Sequence, residues 1–335
     1  MAKARVAVPQ FEEAPKSRKE LPLWIGVWGR VVKEKPLAAL GLAIVGIMLI
    51  VGTFANFIAP EGLNETHLER LGLVEFEGIG QRVQFIGPSL APFHPMGLDN
   101  LGRDVLSRVI YGARISMIVG FGTVALGTTL ATILGMASSW LGGRVDTFIQ
   151  RIVDGMMVFP WLVTLIVIVT ILPEKSPIGL LGTASWGMLK VILALAILDI
   201  AWVSRVIRSA AMTTKENQYV DAARAMGASG WRINFRYLLP NIMAPIITLA
   251  TLNLGYAILS ESVLSFLGHG IPPPNPSWGG MLTGIGQQYL HLAPWLAIFP
   301  GVMLALVIFG INVLGDGLRD LLDPRLRGKT GRFGA

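Results

Sequence analysis

No cysteine occurs among the 335 residues, so disulfides, thiolate zinc sites and iron–sulfur clusters are excluded. Charge is scarce as well: Asp, Glu, Lys and Arg together make up 15% of the chain, and aromatic residues 8%. The 4 histidines, His67, His94, His269 and His291, are scattered without metal-ligand spacing, so no metal centre is expected. Apolar residues fill the gap. They are 53% of the chain, and the mean hydropathy of +0.59 lies outside the range of soluble domains. Length alone would fit two soluble domains, but the apolar runs point to a membrane instead. The formal charge of +7 does not mark a nucleic-acid binder, because the basic residues gather at the ends of apolar runs, where membrane topology places them.

A helix needs about 20 apolar residues to cross the hydrocarbon. Six runs qualify: 37–59, 115–141, 152–172, 184–203, 242–267 and 294–315. The expected class is therefore an all-α polytopic membrane protein. Lys and Arg crowd the leading tail 1–36, the stretch from Arg205 to Arg236 and the closing tail 317–335, whereas 268–293 has neither. This asymmetry predicts cytoplasmic N- and C-termini. Segment 60–114 then lies outside as a cap before a core of five helices over 115–316. Its Arg70, Arg82, Arg103, Arg108 and Arg114 run against the rule, and nearby carboxylates such as Glu61, Asp99 and Asp104 are candidate partners for them. Within the cap, Val83–Ile86 is a candidate strand, and Pro88, Pro92 and Pro95 punctuate a loop. The tail before the first run is polar and no small-residue cleavage site follows it, so the first span is expected to remain as an anchor.

Between the fourth and fifth spans, 205–240 is too polar for lipid yet patterned as helix. Thr213 and Glu216 stand in capping-box spacing. Gly227 is placed to end a first helix through the left-handed turn that glycine adopts at little cost. In that helix Ala222 and Ala223 form a low ridge beside Asp221 and Arg224, while Tyr219, Val220 and Met226 supply apolar bulk. A second helix is expected from Ser229 or Gly230, carrying Trp231, Ile233, Phe235 and Leu238 beside Arg232 and Arg236. Pro240 suits the first turn of the helix after it. Two amphipathic helices of this kind also fit an interfacial hairpin lying on the headgroups.

The segment resembles the cytoplasmic loop of ATP-binding-cassette import permeases: an acidic residue, two alanines, a glycine a few positions on and a later Leu-Pro, here Asp221, Ala222, Ala223, Gly227, Leu239 and Pro240. The acidic residue is Asp where Glu is commoner. The likeness continues in His94–Asp99, Leu101–Arg108 and Tyr111–Arg114, with Leu98 in place of a usual threonine. It extends through Leu264–Gly268, Pro272–Gly279, Asn312–Asp320 and Asp323-Pro324-Arg325. These landmarks look like the C-subunit type of dipeptide and oligopeptide permease. The resemblance implies a type I-like importer fold and a heterodimer with a homologous B-type permease. It also implies two ATPase subunits that bind ATP and Mg, and an extracytoplasmic solute-binding protein, in a prokaryotic cytoplasmic (inner) membrane. Peptides are the expected cargo, with nickel chelates or oligosaccharides as alternatives within the family.

This chain offers no nucleotide site of its own. Gly328-Lys329-Thr330 ends like a phosphate-binding loop, but Asp323 stands where its first glycine belongs. No paired membrane carboxylates or serine–base arrangement points to an enzyme. An ion-coupled secondary transporter would need inverted repeats, which the sequence does not display. Ionisable residues within spans need water or a partner. Asp199 costs about 2.5–3.5 kcal/mol near a helix centre, against about 0.3–0.6 kcal/mol returned by each Val, Ile or Leu beside it. It is a candidate to line the pathway, or else to make a structural hydrogen bond. Glu261, between Ser260 and Ser262, either meets a cargo amino group or fixes helix packing. Asp154 is expected to pair with Arg151. Gly112, Ser116 and Gly120 have the four-residue spacing that lets helices approach closely, and Pro160 and Pro173 are placed to kink or end the third span.

Overall fold

The computed structural model describes residues 35–67, 73–74, 82–83, 87–89, 94–177, 182–283 and 290–322. The two tails apart from residues 35–36 and 317–322, along with Arg70, Pro92, the motif Asp323-Pro324-Arg325 and the triplet Gly328–Thr330, lie outside them. Among the described residues five helices are long and apolar enough to cross a membrane. They are α1 (Pro36–Thr53), α2 (Val105–Leu141), α5 (Thr183–Lys215), α8 (Met243–Phe266) and α10 (Trp295–Leu322), the last preceded by the short α9 (Trp278–Leu282). The expected third span differs from the others. It is two helices, α3 (Gly143–Val158) and α4 (Trp161–Ile171), bent by 98° at their junction.

Pro160 causes that break. It has no amide hydrogen to continue the ladder, and its ring forces the preceding residue out of the helical region. Phe159 is accordingly extended, at φ −85 and ψ 145. At 1.5 Å per residue the 11 residues of α4 reach only about 16 Å, roughly half the hydrocarbon thickness. The expected 152–172 span is thus a bent pair broken at Pro160, where the sequence placed a kink, and its apolar half ends just before Pro173.

Other boundaries shift for local reasons. Helix α2 starts at Val105, inside the segment assigned to the cap, because Asp104 accepts a hydrogen bond from the Ser107 amide at 2.7 Å and caps the helix there. Helix α5 runs on to Lys215, so the first residues of the 205–240 segment extend a span. The segment before α2 folds back on itself. His94 is buried beside Asp104 at 3.2 Å, Asp99 holds the Leu101 and Arg103 amides at 2.9 Å, and the Trp278 indole donates to the Val109 carbonyl at 3.0 Å. Asp99 also pairs with Arg103 and Arg108, while Arg114 donates to the Gly52 and Thr53 carbonyls and to Asn56 instead of meeting a carboxylate. Two-residue strands β1 (Leu73–Val74) and β2 (Arg82–Val83) pair antiparallel, and the rest of the expected 83–86 strand lies outside the described residues.

The long α2 is the spine of the bundle. Its residues join four apolar clusters, one with α1, α8 and α10, one with α5 and the polar segment, one with α4, α5 and α8, and one with Ala293 and Leu296 around the start of α10. The small-residue stripe works as expected. A side chain on Gly112 would meet the Trp278 ring at 2.7 Å, Ser116 is fully buried, and one on Gly120 would meet Ile258 at 2.9 Å.

Candidate functional site

Residues 216–241 form a bent helical elbow. Its first helix, α6 (Gln218–Ala225), is followed by α7 (Gly230–Ile233), which continues through a π-helical turn, Asn234–Leu238, into a short turn of helix, Leu239–Asn241, with Pro240 at its start. The expected capping box does not form. Thr213 lies inside α5, where its hydroxyl donates to the Ser209 carbonyl at 3.1 Å, and Glu216 ends that helix, so α6 begins only after Asn217. Gly227 does end α6. Its φ is +78, its amide bonds the Arg224 carbonyl at 2.9 Å, and the Ala228 amide reaches back to Ala223 at 3.0 Å. That pair of bonds is the Schellman closure. Ser229 caps α7. In the π-helical turn the Leu239 amide bonds Asn234, and the Asn241 side chain satisfies the Tyr237 carbonyl at 2.6 Å.

The elbow has an inner and an outer face, and the two alanines fall on different sides. Val220 and Ala223 are buried at 0% and 1% exposure, with Ile233 and Leu238 beneath them. Ala222 is exposed, flanked by Tyr219, by the Asp221–Arg224 pair at 3.0 Å and by Met226, which is 77% exposed. Of the bulky residues expected at an outer contact, Val220 therefore belongs to the interior. Trp231 and Phe235 extend the exposed apolar surface, their ring centroids 4.0 Å apart. Leu239 is half-buried and Pro240 exposed.

The elbow is fastened to the bundle at Trp140, near the end of α2. A side chain at Gly230 would meet that ring at 2.6 Å. Lys215 and Arg224 approach its face at 5.3 and 5.9 Å, and the Lys215 ammonium donates to the Ser139 carbonyl at 3.0 Å. Alongside, Asp146 of α3 accepts from Arg208 and Ser138, and Asp154 pairs with Arg205 rather than with Arg151. The correction at Asp154 follows from the bend, which lays α3 against α5 so that facing charges meet. Nothing in the sequence marks Trp140 as an anchor, since a tryptophan at the end of an apolar run is commonplace.

The two membrane carboxylates fare differently. Glu261 is wholly buried, accepting from Ser265 at 2.6 Å, from Ser262 at 3.4 Å and from Ser277. Asp199 borders an open cavity of about 540 Å³ together with Phe159, Trp161, Trp202, Asn253 and Tyr256. A second cavity, of about 810 Å³, opens where the segment before α2 meets α8, and Arg103, Arg108, Glu174 and Lys190 border it.

This architecture has known counterparts. The family model described as the inner membrane component of binding-protein-dependent transport systems matches residues 106–328. The chain belongs to that family. The permease is 36% identical over 296 residues to the dipeptide transport system permease protein DppC of Alkalihalophilus pseudofirmus, covering 88% of each chain. It is 33% identical to the glutathione transport system permease protein GsiD of Pectobacterium atrosepticum, over 91% of this permease and 92% of that protein. A chain of the MetNI methionine ABC transporter, in an inward-facing conformation, shares the fold at a TM-score of 0.51 and 17% identity, covering 64% of this permease and 96% of that chain. The permease is thus a membrane component of a binding-protein-dependent importer with a type I-like fold.

Proposed function

We propose that the permease forms half of a peptide translocation pathway and that its elbow, residues 218–240, seats in a separate ATPase subunit. The observation that carries this reading is the division of the elbow into a buried, fastened face and an exposed apolar one. Tyr219, Met226, Trp231 and Phe235 stand out around the small Ala222. Such a surface is costly to leave in water, and a helix with small residues between bulky ones fits a groove of a partner. ATP binding that closes a pair of such partners moves the docked elbows with it and biases the bundle between its open states. The full assembly in this reading has a B-type permease, two ATPase subunits holding ATP and Mg, and an external binding protein, with both tails of this chain in the cytoplasm. Peptide cargo is supported by the dipeptide and glutathione names of the relatives. Asp199 contributes to the pathway wall, and Glu261, in its hydroxyl cage, fixes the packing of α8.

A second reading has one observation in its favour: Trp231 and Phe235 alternate with exposed Arg232 and Arg236, a pattern that also suits headgroups. One variant separates the two. Ala222→Trp adds bulk to the exposed face without touching the interior. Co-purification of the ATPase subunits and peptide uptake are expected to fall at least about ten-fold, the size of losing one well-packed contact, while the chain still inserts. Unchanged uptake and co-purification would remove the docking role and leave the interfacial hairpin.

A further inference from the structure

The cavity at Asp199 has a chemistry that neither packing nor coupling explains. Asp199 sits midway along α5 and is only 7% exposed, yet its Oδ2 has no hydrogen-bond partner among the described residues. Across the same cavity, on α8, Asn253 is 8% exposed and its side-chain nitrogen is likewise unmatched. Both residues border a single space, and the unmatched acceptor and donor lie just behind its wall, where a side-chain rotation presents them to it. Four aromatic residues stand in its wall beside methionine and aliphatic side chains: Trp161 and Tyr256 contact each other with centroids 5.6 Å apart, and Phe159 and Trp202 join them. The bend at Pro160 is what brings Phe159 and Trp161 to this site.

Leaving a carboxylate oxygen and an amide nitrogen unpaired costs free energy unless something visits them. A cation is the natural visitor to a carboxylate ringed by aromatic faces, since each ring presents negative charge to it. The unmatched donor narrows the choice, because the visitor must also carry an acceptor close to its positive charge. A protonated α-amino group with the carbonyl of its own residue meets both demands. A cavity of about 540 Å³ admits a group of that size.

We propose that this cavity is a transient recognition site for the amino-terminal end of the cargo, with Asp199 binding the ammonium group and the Asn253 amide donating to the adjacent carbonyl. The proposal rests on the transport reading above and names which end of the peptide cargo this chain holds. It also gives the bend at Pro160 a purpose, as the element that furnishes half of the aromatic wall.

This chain has no cysteine, so with the partner subunits' own cysteines replaced a single introduced thiol makes a direct test available. Met157 borders the cavity and is 38% exposed. In the assembled transporter, Met157→Cys is reacted with cationic and with anionic methanethiosulfonate reagents, and the ratio of the two rates is read with Asp199 intact, as Asp199→Asn and as Asp199→Glu. The ratio is expected to drop about ten-fold in Asp199→Asn, the effect of one nearby charge in a poorly solvated site, and to be kept in Asp199→Glu. Dialanine is expected to protect the thiol where N-acetyl-dialanine does not, and Asn253→Leu to weaken that protection. A ratio indifferent to Asp199, as when a partner subunit's cation already neutralises it, would overturn the proposal, and so would equal protection by both dipeptides. Protection by ethylammonium but not by dialanine would retain a cation site and remove the peptide, so failure of the cargo assignment is distinguishable from failure of the site.

Discussion

At Gly227 a single torsion angle decides whether the elbow has a defined shape. Nothing lies within 4 Å of the position a side chain would take there, so the requirement is conformational rather than steric. Left-handed backbone costs an ordinary L-residue roughly 1–2 kcal/mol and asparagine less. Gly227→Ala is therefore expected to loosen the turn, with trypsin cleavage near Arg224 and Arg232 in inside-out vesicles rising several-fold, and Gly227→Asn is expected to rise less. Cleavage of Gly227→Ala at the unsubstituted rate would show that the turn bears no such constraint. Ala223 presents the opposite case. It faces inward at 1% exposure, so a larger residue there disturbs packing under the elbow, and only Ala222 reports on the outer face.

Beside the elbow's anchorage on α2 and α5 lies α3. Two charge pairs hold it against α5, and their surroundings differ. The Asp146 and Arg208 side chains are 17% and 25% exposed, and the Asp146 carboxylate takes two guanidinium bonds plus a hydroxyl. The Asp154 and Arg205 side chains are 50% and 41% exposed. Charge-assisted, partly buried bonds contribute about 1.5–3 kcal/mol, and solvated pairs about 0–1 kcal/mol. Asp146→Asn should accordingly lower the melting temperature in detergent well beyond Asp154→Asn, and a double-mutant cycle should find coupling mainly in the Asp146–Arg208 pair. Equal losses would mean that α3 is held by its apolar contacts. Because Arg208 lies about two turns from Lys215, which itself grips the Trp140 carbonyl region, a shift of α3 is felt at the elbow.

For the molecule as a whole, the distribution of Lys and Arg sets which side faces the cytoplasm. The expected topology puts the segment before α2 outside and the elbow inside. Thr66 and Met226 are exposed at these opposite ends, and in a chain without cysteine each accepts one unique label. A membrane-impermeant maleimide should label Thr66→Cys in intact cells and Met226→Cys only after the membrane is opened. The reverse pattern would overturn both the orientation and the coupling role. Arg103 and Arg108, which run against the charge rule, share Asp99 at 2.7 and 3.7 Å, so part of their charge is compensated.

By itself the sequence determined the class, the approximate spans, the turn at Gly227, the start of α7 at Ser229 and the close approach at Gly112 and Gly120. Each is a local property: the length of an apolar run, one residue's backbone preference, or a fixed spacing along a helix. It misplaced the start of α6, because the Thr213–Glu216 spacing is equally compatible with the end of a preceding helix. It marked Pro160 as a place where the third span kinks or ends, but not the 98° angle between the two halves, which depends on what each half packs against. It put Ala222 and Ala223 on one face, though neighbours in a helix point about 100° apart. Only the tertiary structure decided that Asp154 meets Arg205, that Glu261 is enclosed by serines, and that Asp199 opens on an aromatic cavity with Asn253 opposite. Those outcomes depend on which helices lie side by side, and that is fixed by packing between residues far apart in the chain.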